Sequence, residues 1–252
     1  MESLRLAVKV AYLGDAFAGW QRQTRARTVQ GVLESALEAL FRQPVTVVGA
    51  GRTDAGVHAA GQVAHFDPPR SIPPQGVVSA LNSLLPTDVR VLRAWVVPEA
   101  FHARRSALGK RYRYRLAWGA TLLPWEAERR WQVNHPLDAT AMAATLGAIS
   151  GEHDFAGFAL SGHSGHGARG TVRVLTRAQL SHRGRRADIV LEGDGFLRGM
   201  VRRIVGALVE VGRSAQPSAW FKALLRDPLT RPPAPTAPAQ GLTLEQVFYQ
   251  KK

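Results

Sequence analysis

The segment from Gly51 to Ala59, GRTDAGVHA, contains the group best suited to chemistry in this chain, the carboxylate of Asp54. Arg52 lies just before it and Gly56 just after it, in a loop between two predicted strands. Such a loop can present a carboxylate to a ligand, and a guanidinium within a few ångströms favours its charged form. The same pattern is also typical of an Asx turn, in which the side chain only accepts backbone hydrogen bonds. The residues by themselves leave both interpretations open.

Motifs for other nucleophiles and for metal binding are lacking in the sequence. The chain has no cysteine, which excludes disulfides, thiolate metal sites and a cysteine nucleophile. Serine, histidine and aspartate are present, but no Gly-x-Ser-x-Gly elbow occurs. His163 and His166 lie close together in the loop Ser161 to Gly170, yet no third and fourth ligand follows at the usual spacing, which favours a plain loop over zinc. We therefore expect no metal site.

Aromatic and basic side chains alternate on a predicted strand from Lys110 to Trp118. One face carries Tyr112, Tyr114, Leu116 and Trp118, and the other carries Arg111, Arg113 and Arg115. The aromatic face is suited to the core or, at Tyr112, to stacking on a base. The basic face suits phosphate contacts and equally an ordinary solvated surface. A later helix, predicted from about Phe196 to Val211, places Arg198 and Arg202 one turn apart.

The helices and strands predicted around these residues follow the same order in both halves of the chain. The periodicities predict, in the first half, a strand from Leu4 to Tyr12, a helix capped by Thr28 and ending near Phe41, strands Val45 to Ala50 and Gln62 to Asp67, a helix opened by Pro73 and Pro74, and a strand Val89 to Val97. For the second half they predict a strand from Lys110 to Trp118, a helix after Asp138, and strands Val172 to Leu180 and Ala187 to Leu191. These are followed by the helix from about Phe196 to Val211, a short helix after Pro217, and a strand from Leu242 to Tyr249.

This repeated order, strand, helix, strand, strand, helix, strand, is that of a ferredoxin-like unit. We therefore predict the α+β class, with two ferredoxin-like (βαββαβ) halves, 1–105 and 106–252, that share a mostly antiparallel sheet flanked by helices.

The charge balance points to a polyanionic partner. The chain of 252 residues has 33 Lys and Arg against 19 Asp and Glu, a net charge of +14. Such an excess favours nucleic acid, although arginine-rich composition also arises for other reasons. No apolar run is long enough for a membrane span, so we expect a cytoplasmic protein without a membrane partner.

Several motifs, spread along nearly the whole chain, resemble one family. They are Tyr12-Leu-Gly-Asp-Ala-Phe17-Ala-Gly19-Trp20-Gln21-Arg-Gln23 with Thr28-Val29-Gln30, the segment Gly51 to Ala59, Phe101-His102-Ala103-Arg104 with Lys110 to Tyr114, Phe196 to Gly206, and Ala237 to Leu242. Together they resemble the TruA-type tRNA pseudouridine synthases. One departure is the stretch Leu197-Arg198-Gly199 before Met200, where many relatives have bulkier or more polar residues.

The resemblance implies roles for individual residues. It makes Asp54 the nucleophile, Tyr112 the residue that packs on the target base, and Arg52 and Arg202 the cations beside the carboxylate. Further substrate contacts are expected from Arg198, His58 and Gln62.

The resemblance also implies an activity and partners. The enzyme would convert uridine to pseudouridine at positions 38, 39 and 40 in the anticodon arm of tRNA, without a cofactor and as a homodimer. The base must leave its stack, at a cost of roughly a few kcal/mol. Attack at C1′, attack at C6 and a glycal route all stay open. The alternatives are an RNA-binding protein without catalysis and a metal-dependent nuclease, for which the sequence lacks clustered carboxylates.

Overall fold

The computed structural model describes residues 5–119, 121–160, 170–226 and 234–250. The chain forms two compact units, one comprising Met1–Leu108 with Leu244–Lys252 and the other Gly109–Thr243. The predicted halves, 1–105 and 106–252, stay a prediction about domain organisation. The fold class is confirmed, because a large, mostly antiparallel sheet is flanked by helices.

The first unit follows the predicted order of elements. These are β1 (Arg5–Tyr12), α1 (Val29–Phe41), β2 (Val48–Gly49), β3 (His58–Phe66), α2 (Pro74–Leu84) and β4 (Val89–Val97). Helix α1 begins where predicted, since the Thr28 side chain accepts a hydrogen bond from the Gly31 amide over 3.3 Å. It ends at Phe41, and the following residue, Arg42, has a left-handed φ of 61° and donates its amide to the Glu38 carbonyl oxygen.

Strand β1 is the centre of the first unit. It pairs antiparallel with β4 on one side and β3 on the other, and β2 pairs with β3. Strand β1, helix α1 and helix α2 all contribute buried apolar side chains to the core, among them Leu6, Val10, Leu33, Leu37 and Leu81. The register against β3 shifts between Val10 and Tyr12, so the end of β1 is irregular where it meets the start of β3.

The second unit has more elements than the sequence predicted. They are β5 (Gly109–Trp118), α3 (Pro124–Ala127), β6 (Trp131–Val133), α4 (Ala139–Leu146), β7 (Gly151–Asp154), β8 (Val172–Arg183), β9 (Arg186–Gly193), α5 (Met200–Gly212), α6 (Ser218–Arg226) and β10 (Leu242–Phe248), of which residues 244–248 belong to the first unit. Its sheet has the order β5-β9-β8-β7, with β6 parallel to β5. The short α3, β6 and β7 lack a measurable periodicity, so no pattern predicted them.

Two element boundaries near the expected site were wrong. Strand β3 begins at His58 and not at Gln62, because Ala59 already pairs with Tyr12 on β1. Helix α5 begins at Met200 and not near Phe196, because Gly199 adopts a left-handed φ of 70° as its N-cap. Arg198 therefore lies before the helix, and the prediction that it shares a helix face with Arg202 was wrong.

Candidate active site

Asp54 lies at the start of a tight turn in the loop between β2 and β3. The Val57 amide donates a hydrogen bond to the Asp54 carbonyl oxygen over 3.2 Å. Gly56, inside this turn, has a φ of 78°, a conformation that glycine adopts without strain. The Asp54 side chain is half-buried, between a buried Thr53 and an exposed Ala55. The turn therefore holds a carboxylate at a surface that a ligand can reach.

Two glycines of the β1–α1 connection lie directly against this turn, which we call the Asp54 loop (residues 51–57). A Cβ atom on Gly14 would lie 2.3 Å from the Val57 carbonyl oxygen, and one on Gly19 would lie 2.6 Å from that of Thr53. Gly19 also has a φ of 101°. Only glycine lets the two backbones approach so closely. The sequence motif contained both glycines, but spacing gave no sign of this contact.

Backbone hydrogen bonds fix the same contact. The Trp20 amide donates to the Thr53 carbonyl oxygen over 3.1 Å, and the Gly56 amide donates to the Phe17 carbonyl oxygen over 3.3 Å. Phe17 and Trp20 are themselves buried. The Asp54 loop is thus bonded to buried residues of the first unit, which fixes its backbone.

Two buried polar side chains form hydrogen bonds with the Asp54 loop. The hydroxyl groups of Tyr12 and Thr53 share a hydrogen bond of 2.9 Å, and Gln62 Nε2 donates to the Gly51 carbonyl oxygen over 2.9 Å. Burial raises the pKa of Tyr12 to about 12, while hydrogen bonds with Thr53 and Gln62 lower it less. Tyr12 therefore keeps its proton at neutral pH. Gln62, predicted to contact substrate, has no exposed surface in the structure.

His58 is also buried beneath the loop. Its Nδ1 accepts a hydrogen bond from the Gly14 amide over 3.1 Å, which leaves the ring proton on Nε2 when the imidazole is neutral. Nε2 lies 3.9 Å from Asp15 Oδ1. His58 thus links the β1–α1 connection to the end of the Asp54 loop.

Arg52 has an exposed side chain at the start of the loop. Its Nε donates a hydrogen bond to Gln21 Oε1 over 3.1 Å. The bond to Gln21 uses only Nε of the guanidinium. The two terminal amino groups have the geometry to bind a carboxylate or a phosphate.

In the second unit, Tyr112 is buried on β5 with about 8% of its surface exposed. Its ring meets Phe196 edge-on, with centroids 4.9 Å apart. Tyr114, Leu116 and Trp118 are buried as the core interpretation expected, and the Tyr114 hydroxyl donates to the Pro238 carbonyl oxygen over 2.8 Å.

Arg202 lies in the first turn of α5. Its Nε donates to the Ala237 carbonyl oxygen over 2.7 Å, and the Ala237 amide donates back to the Arg202 carbonyl oxygen over 3.0 Å. Gly206 permits this approach, because a Cβ there would lie 1.9 Å from the Pro235 carbonyl oxygen. Arg198 has an exposed side chain, and its carbonyl oxygen accepts from the Leu160 amide.

The basic face of β5 is paired with acidic side chains. Arg111 contacts Glu192 at 2.7 Å and Arg113 contacts Asp188 at 3.0 Å, both on the neighbouring β9. All three arginines of this face are half-buried, and the third, Arg115, lies 3.4 Å from the Thr243 hydroxyl. The three arginines thus make contacts with other side chains of the protein itself.

Groups of three or more potential metal ligands do not occur among the described residues. His163 and His166, like Ser161 and most of the following loop, lie outside those residues. In the part of the chain that the structure covers, no helix has both the length and the apolar character of a membrane span.

Residues 8–104 and 147–250 match the model of a family described as tRNA pseudouridine synthase, so the chain belongs to that family. Among its relatives are proteins named tRNA pseudouridine synthase A from Myxococcus xanthus, 44% identical over 98% of this chain and 92% of the relative, and from Solidesulfovibrio magneticus, 46% identical over 97% and 91%. A Desulfotalea psychrophila protein, tRNA pseudouridine synthase A 1, is 39% identical over 97% and 99%. The protein is therefore an isomerase that converts uridine in tRNA to pseudouridine.

Proposed function

We propose that Asp54 is the nucleophile of this isomerase and that its substrate uridines lie in the anticodon arm of tRNA. The supporting observation is that the backbone around Asp54 is held in place. Gly14 and Gly19 pack closely against the turn that contains Asp54, and Tyr12 and Gln62 form hydrogen bonds with the same loop. A nucleophile has to be held within a fraction of an ångström of its productive position.

The reaction needs no redox chemistry, because product and substrate are isomers. The bond from C1′ to N1 breaks, a bond from C1′ to C5 forms, the C5 proton leaves and N1 gains a proton. A carboxylate can carry a covalent intermediate through these steps. Arg52, held through Nε by Gln21, supplies positive charge near the start of the loop.

Tyr112 supplies the aromatic surface for the flipped base, and Arg202 a second cation. Support for Tyr112 comes from its edge-on contact with Phe196, which fixes the ring on β5. Support for Arg202 comes from its hydrogen bond to Ala237, which again uses Nε and orients the guanidinium. His58 and Gln62 act by holding the Asp54 loop, since both are buried.

The enzyme acts in the cytoplasm as a homodimer whose two subunits contact one tRNA. The resemblance of the whole chain supports this proposal, and the net charge of +14 fits a large polyanionic substrate. Light scattering of the purified protein, alone and with tRNA, measures the assembly directly, and a monomer in both samples would contradict it.

The activity is tested with unmodified tRNA that contains uridine tritiated at C5, in the presence of EDTA. Wild-type protein is expected to release tritium to water, and chemical mapping of pseudouridine should place it in the anticodon arm. Asp54→Asn is expected to abolish release while tRNA binding stays within a few fold, because the amide is isosteric but a poor nucleophile. Pseudouridine formed by a clean Asp54→Asn preparation would remove Asp54 from its role.

A further inference from the structure

A chain of directional hydrogen bonds runs from the interior of the first unit to Arg52. Its outer link is the bond from Arg52 Nε to Gln21 Oε1, 3.1 Å long and exposed to solvent. Gln21 then donates through Nε2 to Gln30 Oε1 over 2.7 Å. Gln30 lies on α1 and is 9% exposed, so the chain enters the protein at this residue.

Glu34 anchors the inner end. Gln30 Nε2 donates to Glu34 Oε1 over 2.9 Å, and Glu34 follows Gln30 by one helical turn on α1. The same carboxylate oxygen accepts from the Val47 amide over 3.1 Å, and its other oxygen accepts from Arg22 over 2.9 Å. Glu34 is only 7% exposed, and these donors satisfy its buried charge.

Hydrogen-bond polarity fixes the orientation of both amides. Gln30 Oε1 also accepts from the Arg22 amide over 3.0 Å, and its Nε2 also donates to the Val47 carbonyl oxygen over 3.1 Å. If the Gln30 amide were rotated by half a turn, its NH2 group would face the Arg22 N–H and its oxygen would face the Glu34 carboxylate. Both contacts would be repulsive. Gln21 must then turn its NH2 toward Gln30 and its oxygen toward Arg52.

We propose that Gln30 is a positioning residue for catalysis, acting through Gln21 to hold the guanidinium of Arg52 beside the Asp54 loop. The inference rests on the role proposed above for Arg52. A free arginine side chain samples many rotamers, whereas a fixed acceptor at Nε limits them and keeps the two terminal amino groups in one orientation. We call Glu34, Gln30 and Gln21 the glutamine relay.

The relay is tested by a double-mutant cycle of Gln30→Met and Arg52→Met, which measures single-turnover tritium release with protein in excess. Each single variant is expected to lose roughly ten- to a hundredfold in rate. If Gln30 acts through Arg52, adding Gln30→Met to Arg52→Met costs nothing further. Gln21→Met, at an exposed link, should reproduce the Gln30→Met loss without changing thermal stability.

Gln23→Met is the matched control, because Gln23 lies in the same connection and donates to the Ala18 carbonyl oxygen, outside the relay. It should keep the wild-type rate. Losses that multiply in the double variant would overturn the relay but leave the role of Arg52 intact. A wild-type rate for Arg52→Met would instead remove the proposed role of Arg52, so the two failures are distinct.

A second measurement does not depend on activity. The Arg52 Nε–H resonance, assigned by its loss in Arg52→Lys, should exchange with solvent faster in Gln30→Met than in wild type. The Gln23→Met protein should show the wild-type exchange rate. Unchanged exchange in Gln30→Met would overturn the proposal even where residual activity is too low to complete the cycle.

Discussion

Gly19 and Thr53 lie in such close contact that a Cβ atom on Gly19 would be 2.6 Å from the Thr53 carbonyl oxygen. Thr53 is the residue before Asp54, so the position of the carboxylate depends on a glycine far from it in sequence. The φ of 101° at Gly19 adds a conformational requirement to the steric one. The position of the Asp54 carboxylate is thereby coupled to the conformation of the β1–α1 connection.

Gly19→Ala is expected to displace the Asp54 loop and to lower the single-turnover rate at least about tenfold. The strained φ and the clash together should cost about 1–3 kcal/mol in the free energy of unfolding, measured with urea. Gly147→Ala is the control, because the added Cβ there would have open space around it, with no heavy atom from another part of the chain within 4 Å. It should leave the rate unchanged. An active Gly19→Ala enzyme would show that the loop tolerates displacement.

Tyr112→Phe is expected to retain more activity than Tyr112→Leu. The aromatic ring, which we propose packs on the base, survives in the first variant and is lost in the second. The comparison is made by tritium release under saturating protein. If the phenylalanine variant is as inactive as the leucine variant, the hydroxyl group takes part in the reaction, for instance in removing the C5 proton.

Tyr114→Phe provides the control on the same strand. Its hydroxyl donates to the Pro238 carbonyl oxygen in the interior, so its loss should lower the free energy of unfolding by about 1–3 kcal/mol. The catalytic rate should stay at the wild-type value below the unfolding transition. A rate loss equal to that of Tyr112→Leu would mean that packing on β5, and not base stacking, explains both variants.

Binding of tRNA should weaken steeply with salt. Each phosphate that a cation neutralises releases counterions and adds about 0.7 to 0.9 to the slope of log affinity against log salt. With a net charge of +14, we expect a slope that corresponds to several contacts. Filter binding over a range of potassium chloride concentrations measures it. A flat dependence would contradict a role of the charge in RNA binding.

Stability should fall on acidification because of His65. Burial, the positive charge of Arg5 and the neighbouring His102 lower the pKa of His65 from 6.5 to about 4, against smaller raising effects of Asp67 and of a hydrogen bond that the ring makes with the Val48 backbone. Between these two values the unfolded chain binds a proton that the folded protein does not. The free energy of unfolding therefore falls as the pH drops from about 6.5 to about 4.

His65→Gln should reduce this pH dependence, measured by urea unfolding between pH 4 and pH 7. Its side-chain oxygen can still accept the bond that His65 Nδ1 receives from the Ala103 amide, while it takes up no proton. Replacing the exposed His182 by Gln is the control and should leave the slope as it is in wild type. An equal slope in wild type and His65→Gln would assign the acid sensitivity to other groups.

Much of the first unit could be predicted because its signals are local. Helix α1 begins at its Thr28 cap and strand β4 covers Val89–Val97 as the sequence patterns indicated. Capping and periodicity depend on neighbouring residues, so a single sequence contains them. The start of α5 was predicted wrongly, because a left-handed Gly199 is a backbone choice that an apolar stripe does not reveal.

The α+β class and the family could be read from the sequence alone, and its motifs singled out Asp54 as the candidate nucleophile. How the Asp54 loop is held became visible only in the three-dimensional structure. Gly14 and Gly19 against the Asp54 loop, Tyr12 on Thr53, and the relay from Glu34 to Arg52 join residues that are distant along the chain. Such contacts arise from the packing of whole elements, which periodicity and local propensity do not encode.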